Sequence, residues 1–184
     1  NESKMNVFYI GVDNPVEVSA AGVPSAQIKV SMDGGNISRN GDGTYTVNVT
    51  SVGKANVRVS APGVNYSKEY RVKRIPDPTP LLGGKEKGGS IGNGTFKAHT
   101  AMIPMLLDFD FDARCNLAGF TLVRVAKRQD PEPAANQGAT ITGNAKTLQA
   151  KAAPGDKYVF QDIKCKCPGD GAPRNLGQLV FDIQ

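Results

Sequence analysis

Apolar and polar residues alternate one by one through much of this chain, in short bursts separated by Gly, Pro, Asn and Asp. Side chains on a strand point to opposite faces in turn, so such bursts predict half-buried β-strands rather than helices. Phe8, Ile10 and Val12 share one face, and Ile28, Val30 and Met32 share another. Tyr45, Val47 and Val49 repeat the device after the turn signal Gly41-Asp42-Gly43, as do Val57 and Val59 after Gly53. About seven short strands over residues 6–74, with turns every ~8–12 residues, predict an immunoglobulin-like sandwich. So small a sandwich needs aromatic plugs in its core, and Phe8, Tyr45 and Tyr70 stand where they can supply them.

Residues 75–84 break the pattern. Pro76, Pro78 and Pro80 remove backbone donors and fix φ, which predicts an extended, stiff connector, and Gly83 and Gly84 restore freedom after it. The chain is therefore expected to be mainly β, with two tandem domains. Residues 1–80 form the sandwich and its connector, and residues 81–184 form a small antiparallel β-rich domain. In the second domain strands are predicted near Thr95–Thr100, Leu106–Asp112, Ala118–Lys127, Tyr158–Lys166 and Gln178–Ile183. The pattern leaves Thr147–Ala153 open between a strand and a helical turn. Gln129–Ala139 and Pro168–Asn175 read as mobile loops.

Composition agrees with thin sheets: 39% of residues are hydrophobic, Trp is absent, and Gly and Pro are plentiful. The net charge of +5 is dispersed, with nine Lys or Arg against seven Asp or Glu in residues 1–80 and thirteen against ten in residues 81–184. No basic stripe interleaves with aromatics, so nucleic acid is not an expected partner. No apolar run reaches the roughly 18–20 residues that span a bilayer, and no signal peptide opens the chain. A start at Asn1 rather than Met leads us to expect a fragment of a larger protein.

Candidate chemistry is sparse. Asp108, Asp110 and Asp112 form a D-x-D-x-D run, but a calcium hand needs Gly at loop position six and Glu at twelve, where this chain has Ala113 and Gly119. As a strand, the three Asp line one face and Phe109 and Phe111 the other. Cys115, Cys165, Cys167 and His99 are the residue types of a zinc site, yet the single residue between Cys165 and Cys167 is too few to wrap both thiolates on one ion. The glycine-rich segment Gly83–Gly94 lacks the order of a phosphate loop and a helix behind it. Nothing marks a nucleophile elbow near His99, so neither an enzyme nor a cofactor is expected. On composition alone, the rival to a structural module is an immunoglobulin-like adhesion or glycan-binding module, which calls for an exposed aromatic platform or a calcium site.

Particular runs carry a resemblance. Gly89-Ser90-Ile91-Gly92-Asn93-Gly94-Thr95-Phe96-Lys97-Ala98, continued through Leu107–Arg114 to Gly119-Phe120 and joined by Pro154–Ile163 and Gly177–Ile183, resembles the C-terminal module of the GldM/PorM family. The run Met5–Val16 resembles the start of the immunoglobulin-like domain that precedes that module. The resemblance implies a periplasmic part of a type IX secretion and gliding-motility subunit, whose parent is anchored in the inner membrane by a transmembrane helix outside this fragment. It implies a homodimer that carries motion from an inner-membrane, proton-driven motor subunit to an outer-membrane-associated ring lipoprotein and its periplasmic partner. Arg124, Lys127 and Arg128, with Arg174 in another loop, are the cations expected to meet that ring. In an oxidising periplasm Cys115 is expected to pair with Cys165 or Cys167, and three buried thiols are the alternative. The three cysteines depart from the family pattern.

Overall fold

The computed structural model describes residues 6–184, so Met5 at the head of the run Met5–Val16 lies outside the described residues. Contacts divide the chain into two compact units. The first extends to Ile75 and also takes in Pro168–Asp170, and the second comprises Pro76–Cys167 and Gly171–Gln184.

The first unit is built from β1 (Val7–Tyr9), β2 (Asn14–Glu17), β3 (Lys29–Asp33), β4 (Asn36–Arg39), β5 (Thr44–Asn48), β6 (Gly53–Ala61) and β7 (Val64–Lys73). They form two sheets, ordered β1-β7-β6-β3 and β2-β5-β4, and every pairing is antiparallel except β1 with β7. The alternation explains the core directly. Ala55, Val57, Val59 and Ala61 point inward from β6, and Tyr45, Val47 and Val49 point inward from the facing sheet. Phe8 stacks on Tyr70 with ring centroids 4.0 Å apart, and Tyr45 is buried beneath the Arg39 guanidinium. This two-sheet, seven-strand arrangement fits the immunoglobulin-like class.

One polar side chain holds the β1–β2 corner. Asn14 is buried, its Nδ2 donates to the carbonyls of Tyr9, Val12 and Val47, and its Oδ1 accepts the Tyr9 amide at 2.8 Å. The side chain thereby ties the β1–β2 turn to β5 and gives its backbone groups hydrogen-bond partners inside the protein.

The second unit contains β8 (Thr79–Leu82), β9 (Gly89–Ile91), α1 (Asn93–Ala98), β10 (Met102–Met105), β11 (Asn116–Val125), β12 (Glu132–Gln137), α2 (Gly143–Ala150), β13 (Lys157–Lys166), β14 (Arg174–Asn175) and β15 (Leu179–Ile183). Its main sheet runs β12-β11-β13-β15-β9 with β14 beside β13, and β8 and β10 form a separate ribbon. Four expectations change here. Thr95–Thr100 is not a strand: α1 occupies most of it and drives Phe96 into the core, 4.7 Å from Tyr158 and 5.8 Å from Phe181 by ring centroids. The helix is held by distant groups, because Gln149 Nε2 donates to the carbonyls of Phe96 and His99 at its C-terminal end. Leu106–Asp112 finds no neighbouring strand: burial alternates only from Asp108 to Asp112, Leu107 and Asp108 are both exposed, and Asp108 turns to a φ of 55°. Gln129–Ala139 is largely β12, paired with β11 from Glu132 to Gln137. Pro168–Asn175 ends in β14, paired with Lys164 and Cys165 of β13.

The open choice at Thr147–Ala153 resolves as the end of α2. Its N-terminus is fixed from β12, where buried Asn136 accepts the Thr142 amide at 2.9 Å and donates to the Thr140 carbonyl. Gly83 illustrates why the glycines after Pro80 matter. Its φ is +64°, and a Cβ there would lie 2.1 Å from His99 Nδ1, so a side chain is excluded on both counts.

Candidate docking surfaces

The four sequence-predicted cations do not share one environment. Arg124 on β11 lies within an ion network: Nη2 is 3.2 Å from Asp156, Nη1 is 3.3 Å from Glu132, and Glu132 also pairs with Lys151 at 3.3 Å. Partial burial works against the Arg124 charge, but the Asp156 carboxylate and its neighbours outweigh that and hold the guanidinium above its ordinary pKa. Tyr158 lies beside this network and donates its hydroxyl proton to the Leu148 carbonyl at the end of α2. Burial pushes its pKa up to about 12, with Arg124 pulling the other way. Arg174, on β14, pairs with Asp77 at 3.0 Å and keeps only 8% of its side chain exposed. Lys127 and Arg128 face solvent in the turn between β11 and β12, where Arg128 adopts a φ of 59°. Arg124 and Arg174 are therefore engaged within the unit, and Lys127 and Arg128 face outward.

Cys115 is bonded to Cys167, and Cys165 lies outside that bond, fully buried. The bond anchors the end of the 106–115 segment to the end of β13. In the chain-entropy model a closure across 52 residues contributes about 4 kcal/mol. No group of three or more His, Cys, Asp or Glu among the described residues is placed to hold a metal.

Two of the concave surfaces among the described residues carry exposed aromatic or apolar lining. On the first unit a groove of ≈ 610 Å³ runs over β3, β6 and β7, lined by Lys29, Arg58, Asn65 and Tyr66 among others. Arg58 pairs with Asp33 at its rim, and the hydrogen bond and charge of Arg58 hold the Asp33 carboxyl below its ordinary pKa. Tyr66 is the one aromatic among the exposed large hydrophobic residues described, a single ring rather than a stacking platform. On the second unit a groove of ≈ 440 Å³ is lined by Ile103, Met105, Leu106, Phe109 and Phe111, with Arg114 at one side. Phe109 and Phe111 stack with centroids 5.0 Å apart, and Leu107 beside them is 54% exposed. Sequence reasoning assigned this segment to a sheet face and so missed it as a surface. The available signal was the length of the D-F-D-F-D alternation without a hairpin partner after it.

The comparisons with known proteins follow the same division. Residues 1–73 match the model of the GldM third domain, and residues 76–184 match that of the GldM C-terminal domain. The chain belongs to the GldM family. It is thus a component of the type IX secretion and gliding-motility apparatus, in a family known for a structural role and for a periplasmic C-terminal region. No helix among the described residues is long and apolar enough to cross a membrane. No curated protein matches the chain. Solved structures similar to it include the Yersinia pseudotuberculosis adhesin InvE, at 14% identity and a TM-score of 0.29 over 96% of this chain and 56% of that one. Another is the Bacteroides ovatus mixed-linkage glucan utilization locus protein SGBP-B in complex with a mixed-linkage heptasaccharide, at 9% identity and a TM-score of 0.26 over 97% and 43%. The chain spans about half the length of each, and similarity this low carries no functional argument.

Proposed function

We propose that this chain is a non-enzymatic, force-transmitting module that couples an inner-membrane, proton-driven motor to an outer-membrane-associated ring lipoprotein and its periplasmic partner, acting as a homodimer. The observation that carries the reading is mechanical. In each unit a strand near the beginning pairs in parallel with the last strand: β1 with β7, and β9 with β15. Parallel neighbours place the start of one strand and the end of the other at opposite ends of the pair. Tension between those ends loads the rungs together in shear, rather than opening them one after another. Flanking bonds extend both clamps: the Arg71 amide donates to Asn6, the Ile10 amide to Lys73, and the Gln184 amide to Ile91, at 2.8, 2.9 and 2.9 Å. Lys127 and Arg128 supply an exposed cationic rim for the ring, of the kind that speeds encounter more than it deepens affinity.

The test is Arg71→Pro, which removes the amide bonded to Asn6 at an exposed position. Pulled through its ends, the variant is expected to rupture at a clearly lower force while losing only about 1–2 kcal/mol at equilibrium. In the parent protein the same change is expected to impair secretion and gliding without lowering protein level. An unchanged rupture force, or full secretion and gliding with a weakened clamp, overturns the reading.

A further inference from the structure

We infer that the edge of β7 from Val64 to Tyr70 is where a second copy of this chain adds as an antiparallel strand, centred on Ser67. The inference rests on the homodimer of the coupling reading above and names where the two copies meet. β7 pairs with β6 along its whole length, but β1 covers its other side only from Arg71 to Lys73. Among the described residues no strand lies beside Val64–Tyr70 on that side. An uncovered edge of this length is a template for another strand. Burial marks the same place: Val64, Tyr66, Lys68 and Tyr70 share the inward phase of β7, yet Tyr66 is 44% exposed and Lys68 is exposed with it.

Hydrogen-bond direction fixes the register. The Arg71 amide donates to Asn6 and the Lys73 carbonyl accepts from the Ile10 amide, so these two residues turn their backbone groups to the β1 side. Because that direction alternates along a strand, Asn65, Ser67 and Glu69 turn theirs to the uncovered edge. Two antiparallel copies must bring such residues face to face, and a two-fold axis at Ser67 does so over the whole edge without meeting β1. The opposed pairs are then Ser67 with Ser67, Asn65 with Glu69, Tyr66 with Lys68, and Val64 with Tyr70. They set amide against carboxylate, ring against ammonium and β-branched against aromatic side chains, and no like charges meet. This self-complementarity selects a second copy over an unrelated peptide. A single short edge pair is weak, but copies held together elsewhere in the parent protein would meet at about millimolar effective concentration.

The experiment places Ser67→Cys or Asn65→Cys in the whole chain and in the parent protein, oxidises each mildly, and takes the unsubstituted protein as the background for its own cysteines. Ser67→Cys is expected to form a cross-linked dimer at least about tenfold faster than Asn65→Cys, because only position 67 meets itself across the axis. Adding Glu69→Pro, which removes an amide facing away from β6, is expected to slow that cross-link about tenfold while the melting temperature changes little. An unchanged rate with Glu69→Pro overturns the inference. If the parent protein is dimeric by light scattering but Ser67→Cys cross-links no faster than Asn65→Cys, the edge assignment falls and the homodimer stands. If chain and parent are both monomeric and neither cysteine cross-links, both fall. A Ser67→Cys cross-link that forms only after residues 1–5 are removed gives the edge to the chain's own N-terminal segment and overturns the inference.

Discussion

The two units solve the same problem, a small β core, by different means. The first is lined with Val and Ala from alternating positions, plus Phe8 stacked on Tyr70, and its β1–β2 corner is held by the buried side-chain amide of Asn14. The second packs Phe96, Tyr158, Phe160 and Phe181 against one another, inserts a short helix to deliver Phe96, and adds a disulfide. Alternation alone fills a core when two sheets face each other. When one sheet must be covered by helices and ribbons, bulky residues and cross-links have to come from segments that follow no period of two.

Substitutions that separate those strategies should act most strongly in the second unit. Phe96→Ala removes the ring at the centre of the aromatic cluster and is expected to cost about 3–5 kcal/mol, whereas Val47→Ala in the first unit is expected to cost about 2 kcal/mol. Urea denaturation of both variants checks this, and equal losses would erase the contrast. Replacing both Cys115 and Cys167 by Ser is expected to lower stability by up to about 4 kcal/mol, and reductant should reproduce the loss in the parent chain. Insensitivity of the melting temperature to reductant would show that the second core does not depend on its cross-link.

Asn14→Leu tests the polar device of the first unit. It removes the bonds that Asn14 makes to the Tyr9 amide and to three carbonyls, with an expected loss of about 2–3 kcal/mol and faster hydrogen exchange at Tyr9.

The two ends of the pH scale offer the mildest probe. Burial raises Tyr158 from 10.0 to about 12, so the folded state holds that proton more tightly than the unfolded chain. Its contribution is complete below the unfolded value and is lost as pH rises towards the folded one. Tyr158→Phe is therefore expected to flatten the fall of stability between 10.0 and about 12, and a parallel fall in parent and variant would refute this. In the first unit Asp33 is held low by Arg58, so its contribution is present above the unfolded carboxyl value and is lost as pH falls through the folded one. Because the pair is fully exposed, Asp33→Asn should change acid denaturation only slightly and less still in high salt.

By itself the sequence determined the class of the fold, the faces of most strands in the first unit, and the family, since strand periodicity and motif order are local properties of the chain. Phe8, Val47 and Val59 lie inward because each neighbour along the strand must point outward, whatever else the chain does. Only the tertiary structure decided that Phe96 rides on a helix, because the groups that hold that helix come from Gln149 and Gln184, far along the chain. It decided likewise that Glu132–Gln137 is a strand, since its partner is β11, and that Cys115 bonds Cys167 rather than Cys165. The D-F-D-F-D segment makes the same point in reverse: alternation sorts side chains into two faces, but a strand also needs a neighbour for its backbone, and no neighbour is written into the period.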